Sequence, residues 1–244
     1  MILYYIRHGE PNYELDCLTP LGEKEAIALS ELLKKKGVDK IYASSMGRAQ
    51  ATAKPTAEAF NLPIISCDWA REDKTWENYA APIDKRGTTW VFWIPKWVEE
   101  FMSDESMQAG YEFYKLPVYD EINLRKGIET TDKAVDEFML ELGYEHDRKH
   151  KCYKEIKKNE DHVALFAHHG FGMAFLSSLL DIPYSFLSLR IDMGHTNFTE
   201  IEFKANENGL VFPKILHLAD DAHLYKEALA FNAEPTALYI EEKK

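Results

Sequence analysis

The sequence predicts an α/β fold, a three-layer α/β/α sandwich with a mostly parallel central sheet. Two kinds of segment predict it. Some are short and apolar, rich in β-branched and aromatic residues, and they alternate with longer segments whose apolar residues recur at helical spacing. Strands that alternate with helices form parallel sheets that are covered on both faces. The 244 residues, 45% of them hydrophobic, are enough for one large domain with a buried core.

Residues 2–66 contain this alternation in its clearest form. We predict, in order, a strand at 2–6, a helix after Thr19, a strand at 40–43, a helix to about residue 60 and a strand at 63–66. Thr19 is a good N-cap, and Pro20 suits the first helical position because that position needs no amide donor. Gly37 ends the first helix, after three lysines that complement its dipole.

The alternation stops at about residue 74 and returns at about residue 130. Residues 74–130 are rich in aromatic side chains with scattered turn residues, so we predict a helical insertion, or lid, over the rim of the sheet. Beyond it we predict a helix at 130–142, a strand at 162–167, a helix at 171–180 and a closing hairpin from 199–203 and 210–216. The prediction is a single domain over residues 1–244.

Charge and composition restrict the partners. The net charge of −12 argues against nucleic acid and anionic membranes, which need a basic face, but it is compatible with a small phosphorylated substrate in a locally positive pocket. No apolar stretch is long enough to span a bilayer, and the first residues lack the basic leader of a signal peptide. The three scattered cysteines, Cys17, Cys67 and Cys152, are typical of reduced thiols. We therefore expect a cytoplasmic protein.

Polar side chains follow four of the predicted strands. They are Arg7 and His8, the segment from Ser44 to Arg48, Glu72, and the pair His168 and His169. Because parallel strands end at one edge of a sheet, we expect these groups to lie together. Guanidinium groups bind phosphate oxygens in a bidentate manner, an imidazole can attack phosphorus, and a carboxylic acid can protonate the leaving oxygen. The set predicts phosphoryl-transfer chemistry that needs neither a metal nor another cofactor.

The ordered motifs resemble those of the histidine phosphatases, the phosphoglycerate-mutase-like superfamily. The matching segments are Arg7-His8-Gly9-Glu10, Leu18-Thr19-Pro20-Leu21-Gly22, Ser44-Ser45-Met46-Gly47-Arg48-Ala49, Arg71-Glu72 and His169-Gly170. The resemblance implies that His8 accepts the phosphoryl group and that Arg7, Arg48 and His169 complete the phosphate pocket. It implies that Glu72 is the general acid and later the base. We also expect a backbone carbonyl to hold the second ring nitrogen of His8.

Several assignments stay open at this point. His168 competes with His169, which is preferred because the family has His-Gly there. Asp73 and Glu77 compete with Glu72, and the glycine that often follows the acid in the family is replaced here by Lys74 and Thr75. Asn12 is a further candidate for a phosphate contact.

Two other groups of residues have both a functional and an ordinary interpretation. The spacing of His146, His150 and Cys152 is compatible with zinc, but an exposed charged helix is favoured. The aromatic residues from Trp90 to Phe101 could bind a hydrophobic leaving group, but a core patch is favoured.

The sequence thus predicts a metal-independent phosphatase that hydrolyses a phosphomonoester through a phosphohistidine. A phosphoglycerate-mutase-type phosphoryl transfer is the first alternative, and a module that binds a phosphorylated ligand without catalysis is the second. The substrate and the oligomeric state are not predicted.

Overall fold

A six-stranded sheet lies at the centre of the computed structural model, which describes residues 1–83, 87–226 and 229. The strands are β1 (Ile2–Arg7), β2 (Pro11–Asn12), β3 (Cys17–Leu18), β4 (Lys40–Ser44), β5 (Ile64–Cys67), β6 (Ala80–Pro82), β7 (Thr88–Trp90), β8 (Tyr144–Asp147), β9 (Cys152–Glu155), β10 (His162–Ala167), β11 (Phe198–Glu202), β12 (Leu210–Val211) and β13 (Lys214–Asp220). The central sheet has the order β13-β11-β1-β10-β4-β5. Strands β1, β10, β4 and β5 are parallel, and β11 and β13 add an antiparallel edge.

Helices cover both faces of this sheet, which confirms the predicted α/β class. They are α1 (Pro20–Lys36), α2 (Gly47–Phe60), α3 (Glu72–Tyr79), α4 (Pro95–Phe101), α5 (Asp104–Ala109), α6 (Leu124–Glu141), α7 (His169–Leu180), α8 (Tyr184–Leu187) and α9 (Ala222–Lys226). Short 3₁₀ helices are Asp68–Ala70, Val91–Trp93, Gly110–Lys115 and Pro117–Glu121. As predicted, the Thr19 hydroxyl caps α1 by accepting the amide N–H of Gly22 at 3.1 Å.

The alternation of side chains along β1 divides the core into two layers. Tyr4 and Ile6 are fully buried against α1 and α2, whereas Leu3 and Tyr5 are fully buried in the larger cluster on the opposite face. A strand that is buried on both faces carries apolar residues at every position rather than at alternate ones. This explains why residues 2–6 are continuously apolar.

The segment predicted as an insertion, residues 74–130, is aromatic and largely helical, as predicted. Its last residues, from Leu124, belong to helix α6. Helix α6 begins at Leu124, six residues before the predicted start at 130. Gly127 disfavours a helix by propensity. It lies inside α6 because a Cβ there would stand 2.7 Å from the ring of Tyr79. Close packing therefore requires the glycine. Residues 84–86, within the insertion, and the chain after 229 lie outside the described residues.

The segment around His146 is a β-hairpin, so the predicted exposed charged helix was wrong. Strands β8 and β9 pair in antiparallel register, and the side chain of His146 is buried. Its Nδ1 lies 2.8 Å from Asp136 Oδ1 and its Nε2 lies 2.9 Å from Asp181 Oδ2. Tertiary contacts with two carboxylates thus override the local pattern. No group of side chains suited to a metal ion occurs among the described residues.

The predicted closing hairpin is only partly correct. Strands β11 and β13 form it, but β12 leaves the central sheet and pairs with β9. The cysteines are free thiols. Within residues 1–83 and 87–226, none of the helices combines the length and the apolar character needed to cross a bilayer. The cytoplasmic location stays a prediction.

Candidate active site

A cavity of about 440 Å³ opens at the carboxyl edge of the parallel strands. All five site residues predicted from the sequence line this cavity, namely Arg7, His8, Arg48, Glu72 and His169. The lining residues are Arg7, His8, Tyr13, Met46, Arg48, Glu72, Asp73, Trp76, Trp90, Trp93 and His169. Strand register explains the convergence, because Arg7 lies level with Ala167 at the ends of β1 and β10. A volume of this size is in the range of small-molecule sites.

His8 is held as a neutral imidazole with one free nitrogen. The side chain is 2% exposed, and its Nδ1–H donates to the carbonyl of Gly9 at 2.7 Å. A carbonyl only accepts, so the bond fixes the tautomer and leaves a lone pair on Nε2. Burial, followed by the charge of Arg7, holds the pKa of His8 well below its usual range. The carbonyl contact is the one that the sequence analysis expects.

The loop that carries His8 is fixed by its neighbours. The amide N–H of Gly9 donates to the Thr52 hydroxyl at 3.0 Å. A Cβ on Gly9 would stand 2.8 Å from the carbonyl oxygen of Gly22. The Leu18–Gly22 motif therefore packs its backbone directly against the Arg-His-Gly motif, which gives a physical reason for their joint occurrence.

Arg48 is positioned by an acid that the sequence analysis missed. Asp16 Oδ1 accepts from Nη1 of Arg48 at 2.6 Å, and Asp16 Oδ2 accepts the amide N–H of Gly47 at 2.6 Å. A carboxylate at the N-terminus of α2 is favoured by the helix dipole, and here it also aligns a buried guanidinium. The local sequence around Asp16 resembles an ordinary surface turn. It gives no sign of these contacts, because the partners of Asp16 lie more than thirty residues further along the chain.

The segment before β11 contributes two further residues, Met193 and His195, beside Arg7 and His8. Arg7 Nη1 donates to the carbonyl of Met193. The buried ring of His195 lies 5.9 Å from that of His8, measured between ring centroids. Burial, together with Arg7, lowers the pKa of His195 to about 3, so this ring is neutral. His195 was not predicted, because the loop that carries it follows no strand of the parallel set.

Glu72 is the first residue of α3 and faces the start of α7. Its two carboxylate oxygens accept the amide N–H groups of Gly170 at 2.9 Å and Phe171 at 2.8 Å. Burial raises the pKa of Glu72, and the two N–H groups oppose the rise without cancelling it. A carboxyl group with a raised pKa is suited to donate a proton at neutral pH.

The two competing acids have different surroundings. Asp73 is exposed and accepts from Nε of Arg71 at 2.9 Å, a contact that lowers its pKa. A lowered pKa makes a poor proton donor. Glu77 is exposed and does not line the cavity, and Asn12 uses its side-chain oxygen within its own turn. The geometry therefore favours Glu72.

The two adjacent histidines point to different groups. His168 is fully buried, its ring centroid lies 5.2 Å from that of His8, and its Nε2 is hydrogen-bonded with the Ser44 hydroxyl at 2.9 Å. His169 lines the open cavity, and its Nε2 lies 3.2 Å from Asp192 Oδ1. Burial lowers both pKa values, that of His169 to about 4. The ring of His168 thus lies beside that of His8, and the ring of His169 lines the same cavity as His8, next to Asp192.

Comparison with known proteins supports the resemblance over the first part of the chain. Residues 3–112 match the model of the histidine phosphatase superfamily (branch 1). The match covers a little under half of the chain. The resemblance seen in the motifs is thereby confirmed. No curated protein sequence matches the chain.

Solved structures of several phosphatases share the fold. Phosphoserine phosphatase from Entamoeba histolytica, in complex with 3-phosphoglyceric acid, has a TM-score of 0.57 at 20% identity over 91% of this chain and 98% of its own. Mycobacterial glucosyl-3-phosphoglycerate phosphatase has a TM-score of 0.57 at 20% identity over 90% and 99%. The α-ribazole phosphatase from Shigella flexneri has a TM-score of 0.53 at 16% identity over 90% and 96%. At these identities the likeness shows the fold alone.

The roles of His168 and His169 can be separated by matched variants. We expect His168→Asn to lower kcat/KM by about 10²-fold or more, the usual cost of one lost transition-state contact. We expect His169→Asn to lower it by less than about tenfold. Steady-state kinetics on one ester, with thermal unfolding to check that both variants fold, decides the assignment. A larger loss in His169→Asn would restore the choice made from the His-Gly motif.

Proposed function

We propose that the protein hydrolyses a small phosphomonoester without a metal, through a phosphohistidine formed on His8. The observation that carries the proposal is the fixed tautomer of His8, whose Nδ1–H is held by Gly9 while Nε2 keeps its lone pair. Two guanidinium groups, Arg7 and Arg48, line the same cavity. A neutral nucleophile beside two fixed cations is suited to attack a dianionic phosphate ester.

The first step transfers the phosphoryl group. His8 Nε2 attacks phosphorus, the N–P bond forms, and the ester P–O bond breaks. Glu72, whose pKa is raised by burial, gives a proton to the leaving oxygen. Arg7 and Arg48 balance the charge on the equatorial oxygens, a task that metal ions perform in many phosphoryl-transfer enzymes. His168, beside His8, would contact the same phosphoryl group.

The second step returns the enzyme to its starting state. Glu72, now a carboxylate, takes a proton from water as the water oxygen attacks phosphorus. The N–P bond breaks, its electron pair returns to His8 Nε2, and inorganic phosphate leaves. We further propose that the insertion at 74–130 acts as the specificity element, since Trp76, Trp90 and Trp93 line the cavity beside the phosphate end.

The proposal is tested by turnover of p-nitrophenyl phosphate in EDTA and by trapping the intermediate. We expect full activity in EDTA, and a phosphoryl label on the protein that survives alkali and is lost in acid, as a phosphoramidate is. Activity that needs a divalent metal would contradict the metal-free route. A label stable in acid would exclude phosphohistidine, and isomerisation of a phosphoglycerate without phosphate release would favour a mutase.

A further inference from the structure

The cavity has a phosphate end, formed by Arg7, His8 and Arg48, and an aromatic half. Three of the five tryptophans in the sequence, Trp76, Trp90 and Trp93, line it. A phosphoryl group has only a few non-hydrogen atoms, so most of the 440 Å³ is available to the leaving group. The leaving group therefore meets mainly indole surfaces.

These indoles form a fixed surface. Trp76 and Trp90 meet edge to face with ring centroids 4.8 Å apart, and Trp90 stacks on the buried ring of Phe92 at 5.8 Å. A Cβ on Gly170 would stand 2.4 Å from the Trp90 ring. Trp90 thus packs on the same first turn of α7 that holds Glu72. A surface that is already ordered binds a rigid ligand at low entropic cost.

The charges of the cavity select against an acidic leaving group. Among the described lining residues, the permanent cations are Arg7 and Arg48, and both are used by the phosphoryl group. The histidines of the lining, His8 and His169, have lowered pKa values and are neutral, and the acids of the lining are the carboxyls Glu72 and Asp73. A carboxylate on the leaving group would find indole faces and acids instead of a cation, and aromatic faces repel anions.

We propose that the substrate is a phosphomonoester whose leaving group carries a flat, uncharged aromatic ring that packs on Trp76, Trp90 and Trp93. The proposal rests on the function proposed above, because it assumes that the phosphoryl group is bound at His8. Offset or edge-to-face contacts with the indoles would select an aromatic ring over a saturated ring of the same size.

A matched pair of esters measures the effect of an aromatic ring in the leaving group. Benzyl phosphate and cyclohexylmethyl phosphate both release a primary alcohol of similar size, so the need for Glu72 is alike in both. We expect kcat/KM for benzyl phosphate to be about 3- to 10-fold higher, the range that one aromatic pair supplies. We expect a carboxylate in the para position of the benzyl ring to lower kcat/KM, and 3-phosphoglycerate and phosphoserine to be poor substrates.

Variants test whether the indoles cause the preference. Trp76→Leu and Trp93→Leu should bring the benzyl to cyclohexylmethyl ratio towards one. Trp69→Leu is the matched control, since Trp69 packs on Phe138, Phe171 and Phe175 and does not line the cavity, and it should leave the ratio unchanged. Calorimetry with benzylphosphonate and cyclohexylmethylphosphonate on the wild-type protein gives the same comparison without variants and without turnover.

The outcomes separate this proposal from the function on which it rests. Hydrolysis of both esters at equal rates, or a preference for the carboxylate-bearing ester, overturns the aromatic proposal and leaves the phosphatase intact. Absence of hydrolysis of every ester, p-nitrophenyl phosphate included, overturns the phosphatase. In that case the phosphonate pair still decides the ring preference, and equal affinities for the two phosphonates overturn it.

Discussion

His8→Ala is expected to lower kcat for phosphomonoester hydrolysis by at least about 10⁴-fold, as loss of a covalent nucleophile does in other enzymes. The variant loses the nitrogen that forms the N–P bond, while Arg7 and Arg48 stay in the cavity. Phosphate should therefore still bind. Steady-state kinetics with p-nitrophenyl phosphate, together with the inhibition constant for inorganic phosphate, separates the lost chemistry from binding.

His217→Ala is the matched control for this result. His217 is half exposed on the edge strand β13 and does not line the cavity, so the substitution should leave kcat unchanged. Residual activity of His8→Ala within about a hundredfold of wild type would contradict the assignment, since acid–base assistance alone accounts for effects of that size. His168 and His195, whose rings lie nearest to His8, would then be the next nucleophiles to test.

The position of the nominated site residues could be predicted because each follows a strand of the parallel set. Arg7, His8 and Arg48 need only local sequence and the rule that parallel strands end at one edge. Strand β10 ends at Ala167, directly before the histidine pair, so the same rule places both rings at the edge. It does not say which ring turns to His8. That choice depends on Ser44, a neighbour supplied by β4.

Features set by long-range contacts could not be predicted. Asp16 looks like a surface acid until α2 places Gly47 and Arg48 against it. The charged segment around His146 has no strand pattern of its own, and its hairpin is fixed by Asp136 and Asp181 from two helix regions. In both cases a buried polar group obtains its partner only when the chain folds, so the local sequence carries no signal.

The roles of the aromatic residues in the insertion could not be predicted from the local sequence either. A core patch was favoured for the residues from Trp90 to Phe101, and Phe92, Trp97 and Phe101 are indeed buried in the core. Trp90 belongs to the same core cluster and also lines the cavity, as does the partly buried Trp93. Aromatic residues are equally suited to a core and to a binding surface, so composition alone cannot divide the segment.

Glu72→Gln is expected to have the second large effect, and its size should depend on the leaving group. For an alkyl ester we expect kcat/KM to fall by about 10²- to 10⁴-fold, because the leaving alkoxide no longer receives a proton. For an aryl ester with an acidic leaving group the fall should be much smaller. The ratio kcat/KM is the appropriate measure, since it reports phosphoryl transfer to His8 and not the later attack of water.

The pH profile gives an independent measure of the same proton. In the wild type, kcat/KM for the alkyl ester should fall as pH rises through the pKa of Glu72, which burial raises above the ordinary value for glutamate. No acid limb from His8 is expected near neutral pH, because the pKa of His8 lies well below its usual range and the ring stays neutral. In Glu72→Gln the basic limb should disappear.

Asp73→Asn is the matched control for the acid, because Asp73 adjoins Glu72 in sequence but is paired with Arg71. It should leave both the leaving-group dependence and the basic limb as in the wild type. Equal losses on alkyl and aryl esters in Glu72→Gln would show that Glu72 does not protonate the leaving oxygen. The hydrogen bonds from Gly170 and Phe171 would then have only a structural role, holding α3 to α7, and the acid would have to be sought at Asp73 or Glu77.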